Sequence, residues 1–234
     1  MEKELKPITK QELIEIFRSQ KFKESVGKSA LITYKKGLES GFLIVRNAKD
    51  KAHFSKVVTG RKDSCPELAD IKIGKFGDIW TSEYTSEGIY PLFDLHFHPI
   101  GNYACPSGPR DYGDDGLDLK LFTDLKKREK FYCRPICAIG IVDKKTGEML
   151  LLQEQTKKPL SDANIFSAYS QIIGMIKEKR NFLTTQDIAN EFSRTGLYSA
   201  TSLEFKLNGR EAIISDEELE KLVIFAYTPC LIKN

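Results

Sequence analysis

Arg134 to Val142 is a strongly apolar strand, and Asp143-Lys144-Lys145-Thr146-Gly147 turns it back into Glu148 to Gln153. Together they read as a hairpin of the longer-loop kind. Tyr90 to His98 reads as a second buried strand, stopped by Pro99. Gly41 to Val45 reads as another, as does Ala30 to Tyr34, with Lys35-Lys36-Gly37 as the turn between them; Lys56 to Val58 forms a short one. Near the C-terminus, Leu203 to Leu207 and Glu211 to Ile214 flank Asn208-Gly209, the preferred chemistry for a two-residue hairpin turn.

Helices alternate with these strands. Thr9-Lys10-Gln11-Glu12 is a capping box, opening a helix from about Lys10 to Gln20 with Leu13, Ile14, Ile16 and Phe17 on its apolar face. Asp115 caps a helix from about Gly116 to Lys130, and Ser161 caps a long amphipathic one carrying Ile165, Ala168, Tyr169, Ile172, Ile173 and Ile176. Thr185 to Arg194 is a shorter helix, and Ser215-Asp216-Glu217-Glu218 is a capping box for the last. Asp63 to Glu87 and Asn102 to Gly116 read as loops, the second crowded with Pro106, Gly108, Pro109, Gly113 and Gly116. The pattern changes after Thr156, so residues 8–155 are read as a first domain and 156–234 as an α/β extension.

Composition narrows the functions open to such a fold. The 234 residues hold 36 Lys plus Arg against 33 Asp plus Glu, and a net charge of +3 supplies no strong pull towards nucleic acid or an anionic membrane. Apolar runs such as Ile136 to Val142 fall far short of the roughly 20 residues of a membrane helix. The N-terminal Met-Glu-Lys-Glu-Leu-Lys-Pro has no apolar stretch after it and does not read as a signal peptide. Five cysteines, an odd number, argue against a disulfide framework. The expected location is the cytoplasm.

Only three histidines are present, His53, His96 and His98. Residues two apart on a strand face the same way, so His96 and His98 can present both imidazoles to one ion, or stand as ordinary strand histidines. Neutral imidazole is a good zinc ligand, and a catalytic zinc keeps three protein ligands and a water. With His53 alone in reserve, sites that need many histidines are poor matches. A site completed by a carboxylate suits this supply.

The segments Glu39-Ser40-Gly41-Phe42-Leu43-Ile44, His96-Phe97-His98-Pro99, and Pro106-Ser107 with Asp111 resemble the motif of the JAB/MPN family of JAMM metalloproteases. In that motif a glutamate beside an early strand is followed by His-x-His-Pro at a strand end and then by a serine and an aspartate. The resemblance covers roughly residues 8–155. It implies an α/β, cytidine-deaminase-like mixed sheet flanked by helices. It also implies that His96, His98 and Asp111 bind Zn2+, that Glu39 moves a proton from the attacking water to the leaving amine, and that Ser107 donates a hydrogen bond to the oxyanion. Asp118 is the rival third ligand and Cys105 a lesser one, while Glu83 and Glu87 are the fallback bases. Gly41, two residues after Glu39, lets other groups approach the strand start.

The implied activity is zinc-dependent hydrolysis of peptide or isopeptide bonds, including removal of a ubiquitin-like modifier from lysine. The implied partner is a protein or peptide substrate, with no nucleic acid and no membrane. Two alternatives stay open: a catalytically silent MPN-like scaffold, and a metal hydrolase of a small amide.

Overall fold

A computed structural model describes residues 8–47, 51–60, 89–99, 104–105, 136–155, 161–178 and 183–227. Its elements are α1 (Lys10–Arg18), α2 (Gln20–Lys36), β1 (Ser40–Asn47), β2 (Ala52–Phe54), β3 (Val58–Thr59), β4 (Ile89–Phe97), β5 (Ile136–Asp143) and β6 (Thr146–Glu154). Then follow α3 (Asp162–Glu178), α4 (Thr185–Arg194), β7 (Tyr198–Asn208), β8 (Glu211–Ile213) and α5 (Asp216–Tyr227). The strands make one mixed sheet in the order β2-β1-β4-β5-β6-β7-β8, with β3 also beside β1. Only β4 and β5 run parallel; the other pairs are antiparallel.

Strand alternation splits the core into two layers. On one face Phe42, Phe93, Leu95, Phe97, Ala138, Leu151 and Leu203 meet α1, α2 and α5. On the other, Cys137, Ile139, Leu150, Leu152 and Tyr198 meet α3 and α4. Burying each large side chain contributes about 1.5 to 3 kcal/mol, so the central strands are pinned from both sides. The first layer centres on aromatic rings packed edge to face: Phe17 with Phe22 at 5.2 Å, and Phe93 with both at 5.6 Å.

Several local expectations are met. The Thr9–Glu12 capping box forms, and Ser161 and Ser215 cap their helices. The two-residue turn from β7 to β8 lies one position later than expected, because Asn208 pairs with Glu211 and leaves Gly209 (φ 62°) and Arg210 between the strands. Ala30 to Tyr34, expected as a strand, is instead the last part of α2. Ser19 caps this helix through the Phe22 amide, Phe22, Val26, Ala30 and Thr33 form one buried face, and left-handed Gly37 (φ 61°) ends it. That packed face outweighs the strand preference of Leu31-Ile32-Thr33-Tyr34. The expected strand at Lys56 to Val58 is replaced by β2 and β3 on either side of Ser55–Val57. The hairpin after β5 is also tighter than expected: Asp143 pairs Thr146, leaving Lys144 (φ 46°) and Lys145 between them. The neighbouring β7 draws the strands out to that length, as Leu207 donates its amide to the Lys145 carbonyl at 2.7 Å.

The sheet runs without interruption from β6 into β7, paired from Thr146–Lys206 to Glu154–Tyr198. Gly27 of α2 lies so close to β8 that a Cβ there would fall 2.5 Å from the Glu211 carbonyl carbon, and α1 and α5 share the first layer. Segments on both sides of residue 156 therefore build the same sheet and core. Among the described residues, no helix is long and apolar enough to cross a membrane.

Candidate active site

His96 lies at the end of β4, directly across from Gly41 of β1, and Phe97 lies across from Ser40. Glu39 immediately precedes β1 and His98 immediately follows β4, so both lie at the end of the sheet where Ser40 pairs with Phe97. Opposite residues of an antiparallel pair face the same way, so Gly41 and His96 share one face of the sheet, the face that carries Cys137 and Ile139 on β5. Glu39 and His96 are buried, at 7% and 6% exposure, and His98 is half-buried.

The imidazoles converge. Their Nε2 atoms are 3.0 Å apart, with ring centroids at 4.9 Å and planes inclined by 46°. One Nε2–H can donate to the other ring's nitrogen at that distance. Two nitrogens bound tetrahedrally to one zinc at about 2.05 Å would stand about 3.3 Å apart, only a few tenths further. The pair thus fits two positions of a metal's ligand shell. Among the described residues no group of three or more His, Cys, Asp or Glu side chains is arranged to hold a metal. Asp111, Ser107, Asp118, Glu83 and Glu87 lie outside the described residues.

The backbone around these groups is held by long-range bonds. The His98 amide donates to the Gly140 carbonyl at 2.8 Å, extending the β4–β5 pairing past Phe97. The Gly60 amide donates to the Glu39 carbonyl at 2.7 Å. A Cβ on Gly41 would overlap the Leu95 carbonyl oxygen and come within 2.9 Å of the His96 Cβ, so the expected close approach at this glycine occurs, and the groups that approach are the Leu95 carbonyl and the His96 Cα and Cβ. Beyond Pro99, the Ala104 amide donates to Thr185 Oγ1 at 3.1 Å in a fully buried contact, tying the chain after the histidines to the start of α4.

Two features of this face were not singled out in the sequence. Asp94, buried at 7% exposure and two residues before His96, lies on the same face beside Cys137 of β5; the period-two pattern Asp94-x-His96-x-His98 was its signal. Thr185 carries none, because a helix-start threonine shows nothing of a partner at Ala104. His53, on β2 opposite Val45, is well removed along β1 from Gly41 and its partner His96. Cys137 is buried, and Cys105 is partly buried against the second layer.

In comparisons with known proteins, no family model and no curated sequence matches the chain.

Proposed function

We propose that this chain is a metal-dependent hydrolase of the JAB/MPN type, cleaving peptide or isopeptide bonds. The observation that carries the reading is the convergence of the His96 and His98 Nε2 atoms to 3.0 Å at the end of β4, with the start of β1, where Glu39 stands, paired alongside. A mixed sheet with helices on both faces and an N-terminal helix over one of them is the architecture such a site needs.

On this reading His96, His98 and Asp111 hold Zn2+, with Asp118 as the rival third ligand. Bound zinc supplies Lewis acidity and makes a water acidic enough to attack near neutral pH. Glu39 takes the proton released in the attack and delivers it to the leaving amine, and its burial limits competition from bulk water. Ser107 donates a hydrogen bond to the oxyanion, and the substrate is a protein or peptide, including a ubiquitin-like conjugate.

The test begins with metal analysis of the purified chain and assays on isopeptide, peptide and small-amide substrates. Near-stoichiometric zinc and cleavage of the first two classes are expected. Glu39→Gln should retain zinc and lose about 10²- to 10⁴-fold in turnover, while His96→Ala should lose metal and activity together. A chain that binds no zinc is a scaffold, and one that cuts only small amides is a different hydrolase. If Glu39→Gln turns over like the parent, Glu39 is not the base.

A further inference from the structure

Strand alternation turns Ser40 away from the shared site face and into α2. There its hydroxyl donates to the Ser29 carbonyl at 2.6 Å and lies 2.8 Å from the Thr33 hydroxyl. Ser29 and Ser40 are fully buried and Thr33 is 1% exposed. Bonds this short in a dry interior are strong and directional. Immediately before Ser40, the Glu39 carbonyl is held by Gly60, and α2 ends at left-handed Gly37 two residues earlier. The strand start is thereby fixed on both sides of Glu39.

We propose that Ser40, pegged into α2 by Thr33 and the Ser29 carbonyl, is the positioning residue that sets the orientation of Glu39 towards the histidines. The proposal rests on the hydrolase reading above. A strand residue cannot turn about the chain axis without carrying its neighbours, so a peg on one face sets the direction of side chains on the other. Without the peg, the Leu38–Glu39 link is held only by the Gly60 bond to the Glu39 carbonyl and the pairing of Ser40 with Thr59 and Phe97, and Glu39 gains room to turn. A misplacement of about 1 Å is enough to cost up to 10²-fold in rate.

Ser40→Ala tests this, because the fold has a way to absorb the change. The Thr33 hydroxyl can bond back to the Ser29 carbonyl four residues earlier in its own helix. The expected result is full zinc content, unchanged KM, a kcat lowered about 10- to 100-fold, and faster hydrogen exchange at the Gly60 amide. In a Glu39→Gln background the same change should lower kcat no further, whereas a general structural defect would lower it in both backgrounds. Thr33→Val, of equal size, removes the hydroxyl contact but keeps the Ser40–Ser29 bond, so it should show the same signature at smaller size and serves if Ser40→Ala does not fold. Lost zinc, a kcat within twofold of the parent, an additive effect, or unchanged exchange at Gly60 overturns the positioning role alone. No hydrolysis by the parent, or a silent Glu39→Gln, overturns the hydrolase reading and this proposal with it.

Discussion

Gly41 and His96 face each other across the β1–β4 ladder with no room for a methyl group between the strands. Gly41→Ala must push β4 aside at the residue before His96 or distort β1 two residues after Glu39. Overpacking of this kind costs about 1 to 3 kcal/mol. The expected outcome is a lower melting temperature together with weakened zinc binding. Gly37→Ala is the control, since its φ of 61° is unfavourable but a Cβ there meets only open space. It should cost roughly 1 kcal/mol and leave zinc affinity unchanged. Equal zinc affinity in parent and Gly41→Ala would show that the histidines tolerate a shifted ladder.

Glu12 links α1 to β1. Its carboxylate accepts from the Thr9 amide at 2.7 Å and hydroxyl at 2.8 Å, and pairs with buried Arg46 at 2.9 Å. Partial burial by itself would raise its pKa, but the Thr9 bonds and the Arg46 charge outweigh it and hold the carboxyl below its ordinary value. A lowered folded pKa means stability that is complete above the unfolded carboxyl's titration, near pH 4.3, and is lost as pH falls through the lower folded value. Glu12→Gln should therefore cost about 1 to 2 kcal/mol at pH 7, and much less once both forms are fully protonated. Urea midpoints of both proteins across pH 2 to 7 read this directly. Parallel curves would remove the ion pair from the account.

Ser29 and Tyr198 each bury a side-chain oxygen with no hydrogen-bond partner among the described residues. Burial drives the Tyr198 hydroxyl's pKa well up, with the charges of Glu154 and Cys137 adding to it. An unpaired buried hydroxyl costs about 1 to 3 kcal/mol of desolvation, so its removal without loss of shape should be neutral or favourable. Tyr198→Phe keeps the ring that packs edge-on against Phe192 at 5.6 Å, and Ser29→Ala suits a helix interior. Each is expected to raise the melting temperature by up to about 4 °C. A drop of similar size for either variant would show that its hydroxyl does find a partner in solution.

The outer edge of β7 is covered by side chains. β8 pairs only with Lys206–Asn208, and before that the Ala200, Ser202 and Glu204 amides donate to Ser193 Oγ, Gln186 Oε1 and Glu218 Oε2 at 3.2, 3.3 and 3.0 Å. Exposed edge amides template pairing with a second chain, and these three contacts block it. A triple variant, Ser193→Ala with Gln186→Ala and Glu218→Ala, should self-associate with rising concentration in light scattering while the parent does not. Equal dispersity of the two proteins would mean that the edge is protected by its twist alone.

Much of this architecture is written locally. The Thr9–Glu12 box, the Ser161 and Ser215 caps and the tight turn at Gly209 each draw on residues within four positions of one another, so their chemistry is visible in the chain itself, although the turn's central pair is Gly209-Arg210 and not Asn208-Gly209. The common face of His96 and His98 is equally local, because two residues is the period of a strand. Ala30 to Tyr34 misled for the opposite reason. Its local preference is for strand, and only the burial of Phe22, Val26 and Ala30 against Phe42 and Phe93 makes it helix.

The residues by themselves thus determined the helix caps, the tight turn, the apolar strands and the direction of two imidazoles. Only the tertiary structure decided that the start of β1 lies along the end of β4, that Gly41 admits His96, that Ser40 is pegged to Thr33 and that Gln186 shields Ser202. The β1–β4 contacts join strands more than 40 positions apart, and no short-range spacing encodes their register. That register is settled when both faces of β1 and β4 are buried at once, since a one-residue slip of β4 would turn Phe93 and Leu95 out of the first layer and the histidines into it.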